Sequence, residues 1–284
     1  QRLRTLLAEH RAHHGPVVWG DDAILACGRC DECEHAATEA DDVLIVAGVR
    51  MGQRRRLREA GILTVADLAS AEPDRRPARM APATFDNLVL QASLQHQGRV
   101  ADDAAVPAFR LTADAPEVLA RMPAPSPGDL FFDFEGDPLY SESDPTRVGL
   151  EYLWGFMAAD QTYRVLWAHD RAEERAAFIE FVDFVTSRRR EFPTMHVYHY
   201  APYETTALKR LAMRFQARED ELDDLLRGEV FVDLYAVVRG AIRAATRSYS
   251  IKKLEPLYMG EEFRDGGDEA VGDGGASVVA YHEY

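Results

Sequence analysis

Residues 129–138 read DLFFDFEGDP, and this stretch decides how the second half of the chain folds. Side chains two residues apart share a face of a strand, so Asp133 and Glu135 are expected to point the same way, with Phe134 packed behind them. Two carboxylates on one face repel each other unless a cation lies between them. Hard oxygen ligands of this kind suit Mg²⁺ or Mn²⁺. The alternative is an ordinary acidic strand end before a Gly-Asp-Pro turn.

The elements that follow predict a mixed α/β order. Apolar runs with turn residues between them are typical of antiparallel strands, and longer stretches with an apolar stripe are typical of helices. The predicted strands are 129–134, 150–157, 162–168 and 195–199, and the predicted helices are 171–187, 203–216, a helix within 231–242, and 250–258.

Two further carboxylates follow predicted strands. Glu204 ends the stretch YHYAPYE and lies in the first turn of a predicted helix, where the helix dipole favours a negative charge. It either starts the helix only or supplies a third carboxylate beside Asp133 and Glu135. Asp233, in FVDLY, either caps a helix or approaches the same metal. Lys252 and Lys253, at the start of the last predicted helix, either meet phosphates or are simply solvated.

Composition limits the possible classes of function. The chain has 284 residues, 46% of them hydrophobic, and a net charge of −15. Residues 101–284 hold 20 basic and 34 acidic groups, which excludes a broad basic footprint for nucleic acid. Acidic groups that hold metal cations can still act on nucleic acid. No apolar run reaches about 18 residues, so we expect no membrane partner, and we expect a cytoplasmic piece of a longer protein.

All three cysteines lie in CGRCDEC, at Cys27, Cys30 and Cys33. Their spacing favours a metal centre, either a [4Fe–4S] cluster or Zn²⁺, over a disulfide framework. The fourth ligand would be His35, a distant histidine or a residue upstream. The alternative is three unpaired thiols in a loop.

The first hundred residues favour a small, mostly helical region. Helices are predicted over 1–15, 51–60 and 81–96, the second ending at Gly61-Ile62, and Thr64 is expected to cap a further short helix. Residues 16–42 are predicted to be a loop. Residues 101–128 are predicted to be a proline-rich linker with one short helix near 115–121.

The stretch 129–284 resembles the RNase H-like domain of the DEDD exonuclease superfamily, in the version fused to RecB-like nuclease segments in bacterial helicase–nuclease proteins. The matching segments are DLFFDFEGDP, VYHYAPYETTALKRLA, FVDLYAVVR and YSIKKLEPLYMG. The resemblance implies an RNase H-like mixed sheet flanked by helices, with Asp133 and Glu135 as metal ligands. Glu204 stands where the second motif usually has Asp. The third motif has no match before Tyr284, so we expect the chain to stop short of it.

The first hundred residues resemble other parts of the same multidomain proteins. Residues 1–45 are similar to the cysteine-rich tail of a RecB-like iron–sulfur module, and 46–100 to a helix-hairpin-helix-like module. No lysine precedes Lys209, so the nuclease core of that module is not expected here. Such a hairpin can present backbone N–H groups to a phosphate. The arginines beside it belong either to that contact or to a solvated face: Arg54, Arg55, Arg56 and Arg58.

The resemblance implies a divalent-metal-dependent exonuclease of DNA repair. Two Mg²⁺ or Mn²⁺ ions would clamp the scissile phosphate of single-stranded DNA or RNA at a 3′ end. Asp133 would bridge both ions, Glu135 would bind the ion that holds the nucleophilic water, and Glu204 would complete the set. The implied partners are nucleic acid and the helicase and nuclease domains of the same polypeptide. The alternative is a non-catalytic nucleic-acid-binding or scaffold segment with a structural metal cluster.

Overall fold

The computed structural model describes residues 31–100, 106–142, 148–259 and 274–283. They divide into two compact units. The first contains the described residues up to Arg110 together with Arg243–Ser248, and the second contains Leu111–Ile242 and the described residues from Tyr249 onward. No helix among these residues is long and apolar enough to cross a bilayer.

The first unit is helical, as predicted. Short 3-10 turns at Val43–Ile45 and Pro73–Arg75 connect its helices. These are α1 (Asp31–Glu39), α2 (Met51–Glu59), α3 (Val65–Ala69) and α4 (Pro82–Val100). The loop predicted over 16–42 is wrong where α1 lies, because DECEHAATE contains no glycine or proline and includes good helix formers. The helix predicted over 1–15 lies outside the described residues.

A single apolar core holds this unit together. It draws on residues from Ala37 to Ala92, so the predicted boundary at 45/46 falls inside one core. Gly61, at φ +74°, turns the chain between α2 and α3, a backbone conformation that favours glycine. Thr64 then caps α3, as predicted, by accepting from the Asp67 N–H at 3.0 Å.

The second unit is built on a mixed sheet. Among the described residues five strands join it, in the order β4-β3-β2-β5-β6. Their bounds are β2 (Leu130–Asp137), β3 (Leu150–Ala158), β4 (Tyr163–Trp167), β5 (Val197–His199) and β6 (Phe231–Asp233). Strands β2, β3 and β4 are antiparallel neighbours, whereas β2, β5 and β6 run parallel. The α/β architecture predicted from the sequence is confirmed.

Helices flank this sheet. Alternate residues of β2, namely Leu130, Phe132 and Phe134, join Trp154 and Phe181 in the apolar core. The helices are α6 (Arg171–Glu191), α7 (Tyr203–Phe215), α8 (Glu219–Arg227), α9 (Leu234–Ala241), α10 (Ile251–Leu254) and α11 (Gly274–Glu283). A 3-10 turn at Glu255–Leu257 follows α10, so the helix predicted over 250–258 is shorter than expected.

The predicted linker 101–128 contains regular structure where it is described. Strand β1 (Phe109–Leu111) pairs with β7 (Ile242–Ala244), and the chain passes between the two units within these strands. Helix α5 (Ala115–Ala120) confirms the short helix predicted near 115–121. The prolines exclude a long helix but allow a strand this short.

Candidate active site

Strand β2 carries the first two candidate carboxylates. Asp133 and Glu135 lie on the face opposite the buried Phe132 and Phe134, as strand alternation requires. Asp133 is paired in register with Gly155 of β3, so its neighbour there has no side chain. A bulge follows between Glu135 and Gly136, where the register shifts. Bulges re-aim the side chains beside them, and this one is next to a candidate ligand.

Helix α7 supplies the third candidate carboxylate, that of Glu204. The parallel strand β5 ends at His199 beside β2, and Ala201, at φ +80°, turns the chain into the helix. Glu204 lies in the first turn of α7 and is 3% exposed. At this position its negative charge acts on Asp133.

The pKa of Asp133 is raised by its loss of hydration and by the neighbouring carboxylates. Loss of hydration is the largest cause and the negative charge of Glu204 the second; together with a smaller effect of Glu135 they raise the pKa of Asp133 to about 6. The Phe134 N–H, which donates to Oδ1 of Asp133 at 2.9 Å, acts in the opposite direction. Three carboxyl groups from β2 and α7 therefore share one electrostatic environment.

Glu204 has one oxygen that the described residues leave unsatisfied. His199 donates from Nδ1 to the Ala201 carbonyl oxygen at 2.7 Å, and the same nitrogen lies 3.2 Å from Oε2 of Glu204. Because the proton points at the carbonyl, the contact from His199 to Oε2 is poorly aligned, and Oε2 has no well-aligned hydrogen bond from any described residue. Burial lowers the pKa of His199, but the hydrogen bonds and charges of Glu204 and Ala201 outweigh burial and raise it. Sequence reasoning did not single out His199, whose only signal was its place at the end of a strand.

Asp233 acts as a helix cap, which was one of its two predicted roles. It ends β6, and its Oδ1 accepts from the N–H groups of Tyr235 at 2.9 Å and Ala236 at 3.3 Å in α9. The Ala201 N–H also donates to Oδ1, at 3.0 Å, so Asp233 supports the turn that leads to Glu204. Its predicted role as a metal ligand stays a prediction.

A buried ionic network lies on the core side of these residues. Glu151 of β3, 1% exposed, accepts from the Tyr203 hydroxyl at 3.0 Å and 2.9 Å and forms an ion pair with Arg210. Glu174 of α6 accepts from the Glu151 N–H at 2.8 Å and from Arg214 at 3.2 Å. Sequence reasoning did not predict this network.

Helix α11 packs at the carboxyl end of β2. The Tyr281 ring stacks on Tyr152, with centroids 4.0 Å apart. His282 places Nε2 3.0 Å from Oδ2 of the buried Asp137. Residues of α11 therefore lie against the strand that carries Asp133.

The predicted phosphate-binding arginines divide into two groups. Arg54 holds the buried Asp42 through two bonds, at 2.7 Å and 2.6 Å, and Arg58 reaches the same carboxylate at 3.2 Å. Arg56 donates to the Arg79 carbonyl at 3.2 Å. The Arg55 side chain is 77% exposed. Two of the four guanidinium groups thus bind an internal carboxylate.

The hairpin amides bind acceptors within their own unit. The N–H groups of Gly61 and Ile62 donate to α2 carbonyls, and those of Leu63 and Thr64 donate to the Asp67 carboxylate at 3.0 Å each. These bonds favour the other predicted role, a small helical packing module, but its arginine face is not wholly solvated, because Arg54 and Arg58 bind Asp42. Lys252 and Lys253 are exposed on α10.

The cysteine cluster is described only in part. Cys33 lies on α1, whereas Cys27 and Cys30 lie outside the described residues. Within the part of the chain that the structure describes, no three acidic, histidine or cysteine side chains already surround one point as in a formed metal site. Asp133, Glu135 and Glu204 therefore do not form such a group in this structure, although the charges of Glu204 and Glu135 both act on Asp133.

Comparison with known proteins agrees with the topology. The family profile of the RNase_H superfamily matches residues 130–284, which contain the whole mixed sheet and the three carboxylates. No curated protein and no solved structure matches the chain. Since the matched residues make up more than half of its length, the chain belongs to the RNase_H superfamily.

Proposed function

We propose that the second unit is a divalent-metal-dependent nuclease that hydrolyses phosphodiester bonds. Nuclease activity is common in the RNase_H superfamily. The ligands would be the carboxylates of Asp133, Glu135 and Glu204, with Asp233 at the edge of the set. Oxygen donors of this type suit Mg²⁺ and Mn²⁺.

One observation carries the proposal: the buried Glu204 carboxylate acts on Asp133, and its Oε2 has no well-aligned hydrogen bond from any described residue. Oε2 of Glu204 has a poorly aligned contact with Nδ1 of His199 at 3.2 Å and no well-aligned hydrogen bond from a described residue, and the charge of Glu204 helps to raise the pKa of Asp133. Buried polar atoms are normally satisfied, so an exception calls for a functional explanation. A divalent cation bound here would coordinate Oε2 of Glu204 and would also offset the repulsion between the Glu204 and Asp133 carboxylates.

The chain's own residues have separable roles in this function. Asp133, which is exposed, would bind the metal on the side that is open to substrate. The buried Glu204 would bind the metal from α7. Glu135 would complete the set from the same strand face as Asp133. Bound divalent ions would supply an activated water and charge stabilisation at the leaving oxygen.

The finer assignment rests on sequence resemblance. We propose 3′-to-5′ exonuclease action on single-stranded DNA or RNA, within a cytoplasmic helicase–nuclease polypeptide of DNA repair. Metal at Cys27, Cys30 and Cys33, as a [4Fe–4S] cluster or Zn²⁺, stays a prediction for the first unit. Phosphate contact by Arg55, or by the exposed lysines of α10, also stays a prediction.

Metal binding tests the proposal without requiring a known substrate. Mn²⁺ is titrated into the 284-residue chain, and free Mn²⁺ is followed by its electron paramagnetic resonance signal. We expect binding that Asp133→Asn abolishes and that Asp160→Asn, a change on the β3–β4 turn, leaves intact. Equal binding by both variants and the parent chain, or no binding by any of them, would overturn the metal site and favour a non-catalytic segment.

A further inference from the structure

Glu151 is a buried carboxylate that the proposed chemistry does not use. It lies on β3 opposite Gly136 and is 1% exposed. Both of its oxygens accept from the Tyr203 hydroxyl, and Oε1 also forms an ion pair with Arg210. A buried acid is costly unless it is paired and hydrogen-bonded, and here both partners come from the same helix.

Tyr203 and Arg210 are spaced so that the Glu151 carboxylate contacts α7 at two points along the helix axis. Tyr203 is the first residue of the helix, and Arg210 lies two turns further on, on the same face. Contacts at both points restrict rotation of the helix and sliding along its axis. Glu204 follows Tyr203 directly, so its direction depends on how the first turn is held.

The same network contacts the strand that carries the other two carboxylates. A Cβ atom at Gly136 would lie 2.4 Å from Oε2 of Glu151 and 3.0 Å from the Tyr203 hydroxyl oxygen. Only a glycine lets β2 pass this close, and it does so at the bulge beside Glu135. The Tyr203 ring also packs edge-on against Phe134, with centroids 6.4 Å apart.

We propose that Tyr203, through its hydroxyl bond to Glu151, is a positioning residue that holds Glu204 beside Asp133. This inference rests on the metal site proposed above and adds a residue that acts through Glu204. Tyr203 touches neither metal nor substrate in this role. It fixes the distance between a helix ligand and the strand ligands.

Tyr203→Phe tests the inference with the smallest available change. The ring and its contact with Phe134 remain, as does the pair of Glu151 with Arg210, and only the hydroxyl is lost. Residues that orient metal ligands typically change metal affinity by 10- to 100-fold, so we expect Mn²⁺ to bind at least ~10-fold more weakly. The matched control is Tyr200→Phe, which removes a hydroxyl bound to the Tyr249 carbonyl and is expected to leave the Mn²⁺ affinity within about twofold.

Hydrogen exchange at the start of α7, measured without metal, separates this inference from the proposed function. Tyr203→Phe is expected to speed exchange of the first amides of the helix, such as Thr206, whose N–H donates to the Pro202 carbonyl at 3.1 Å, by ~10-fold or more relative to Tyr200→Phe. If the parent chain binds no Mn²⁺, the proposed function fails and the exchange result alone decides the positioning role. Unchanged exchange in Tyr203→Phe would overturn that role. So would faster exchange with unchanged Mn²⁺ affinity in a chain that does bind Mn²⁺.

Discussion

Replacement of Asp133 by Asn is expected to stabilise the metal-free protein. At about pH 8 the folded chain must hold Asp133 ionised although burial and the charge of Glu204 disfavour that state. Asn keeps the size and polarity of the side chain and removes the charge. A change at the heart of the candidate site should therefore raise the free energy of unfolding.

The magnitude follows from the pKa of Asp133. The pKa rises from 3.8 to about 6. At ~1.4 kcal/mol for each tenfold change in proton affinity, the upper limit is about 3 kcal/mol. Asp133 loses part of its hydration but keeps contact with solvent, which screens the interaction, so about 1 kcal/mol is the expected gain. For a unit of this size that gain raises Tm by roughly 2–4 °C.

The effect has a defined dependence on pH. Because the folded pKa lies above the unfolded one, the stability contributed by the Asp133 proton is fully present below about pH 4 and is lost as the pH rises through about 6. The stabilisation by Asp133→Asn should therefore be greatest at about pH 8 and vanish near pH 4. With Mn²⁺ present the order should reverse, since only the parent chain gains stability from bound metal.

Thermal unfolding followed by circular dichroism in a chelator checks this prediction at both pH values. The control is Asp160→Asn. The pKa of Asp160 is lowered, chiefly by its hydrogen bond from Thr162, so loss of that charge should decrease Tm at about pH 8. A lower Tm for Asp133→Asn at about pH 8, or an equal change at both pH values, would refute the electrostatic reasoning.

Four more substitutions, one of them a matched control, test the packing around the site and in the first unit. Gly136→Ala should lower the free energy of unfolding by about 1–3 kcal/mol in a urea titration, because its Cβ would lie 2.4 Å from a buried carboxylate oxygen; an unchanged midpoint would contradict this. Glu174→Ala should cost about 3–5 kcal/mol in the same assay, since it leaves buried arginines without their carboxylate; a cost below about 1 kcal/mol would show that they repack. Arg54→Ala should cost about 2–3 kcal/mol by losing its two bonds to the buried Asp42, whereas the exposed Arg55→Ala should stay within about 0.5 kcal/mol. Equal effects of the two arginine substitutions would contradict the structural role of the first.

Much of the second unit could be predicted because its strands have a clear local pattern of apolar and polar residues. Alternation in DLFFDFE predicts which side chains are buried, and the order of strands and helices predicts a mixed α/β unit. Helix α8 was not predicted because its acidic sequence, EDELDDLLR, reads as a solvated stretch. Its buried Leu222 and Leu225 supply the apolar contact that stabilises it.

The parts of the site that escaped prediction depend on distant partners. Glu151 lies in an apolar strand, where a glutamate is normally expected to face solvent. Its burial is possible because Tyr203 and Arg210 arrive from a helix 52 and 59 residues further along the chain. Asp233 had two possible roles, and only the position of the α9 amides identified the cap. Such pairings depend on the tertiary arrangement, which local sequence does not encode.

We propose that Asp133, Glu135 and Glu204 support metal-dependent phosphodiester hydrolysis. The most direct measurement is a time course on 5′-labelled single-stranded DNA with Mn²⁺, using the native protein that contains these residues and its Asp133→Asn variant. We expect stepwise shortening from the 3′ end by the native protein and none by the variant. Equal shortening by both proteins, or an intact substrate with both, would contradict it.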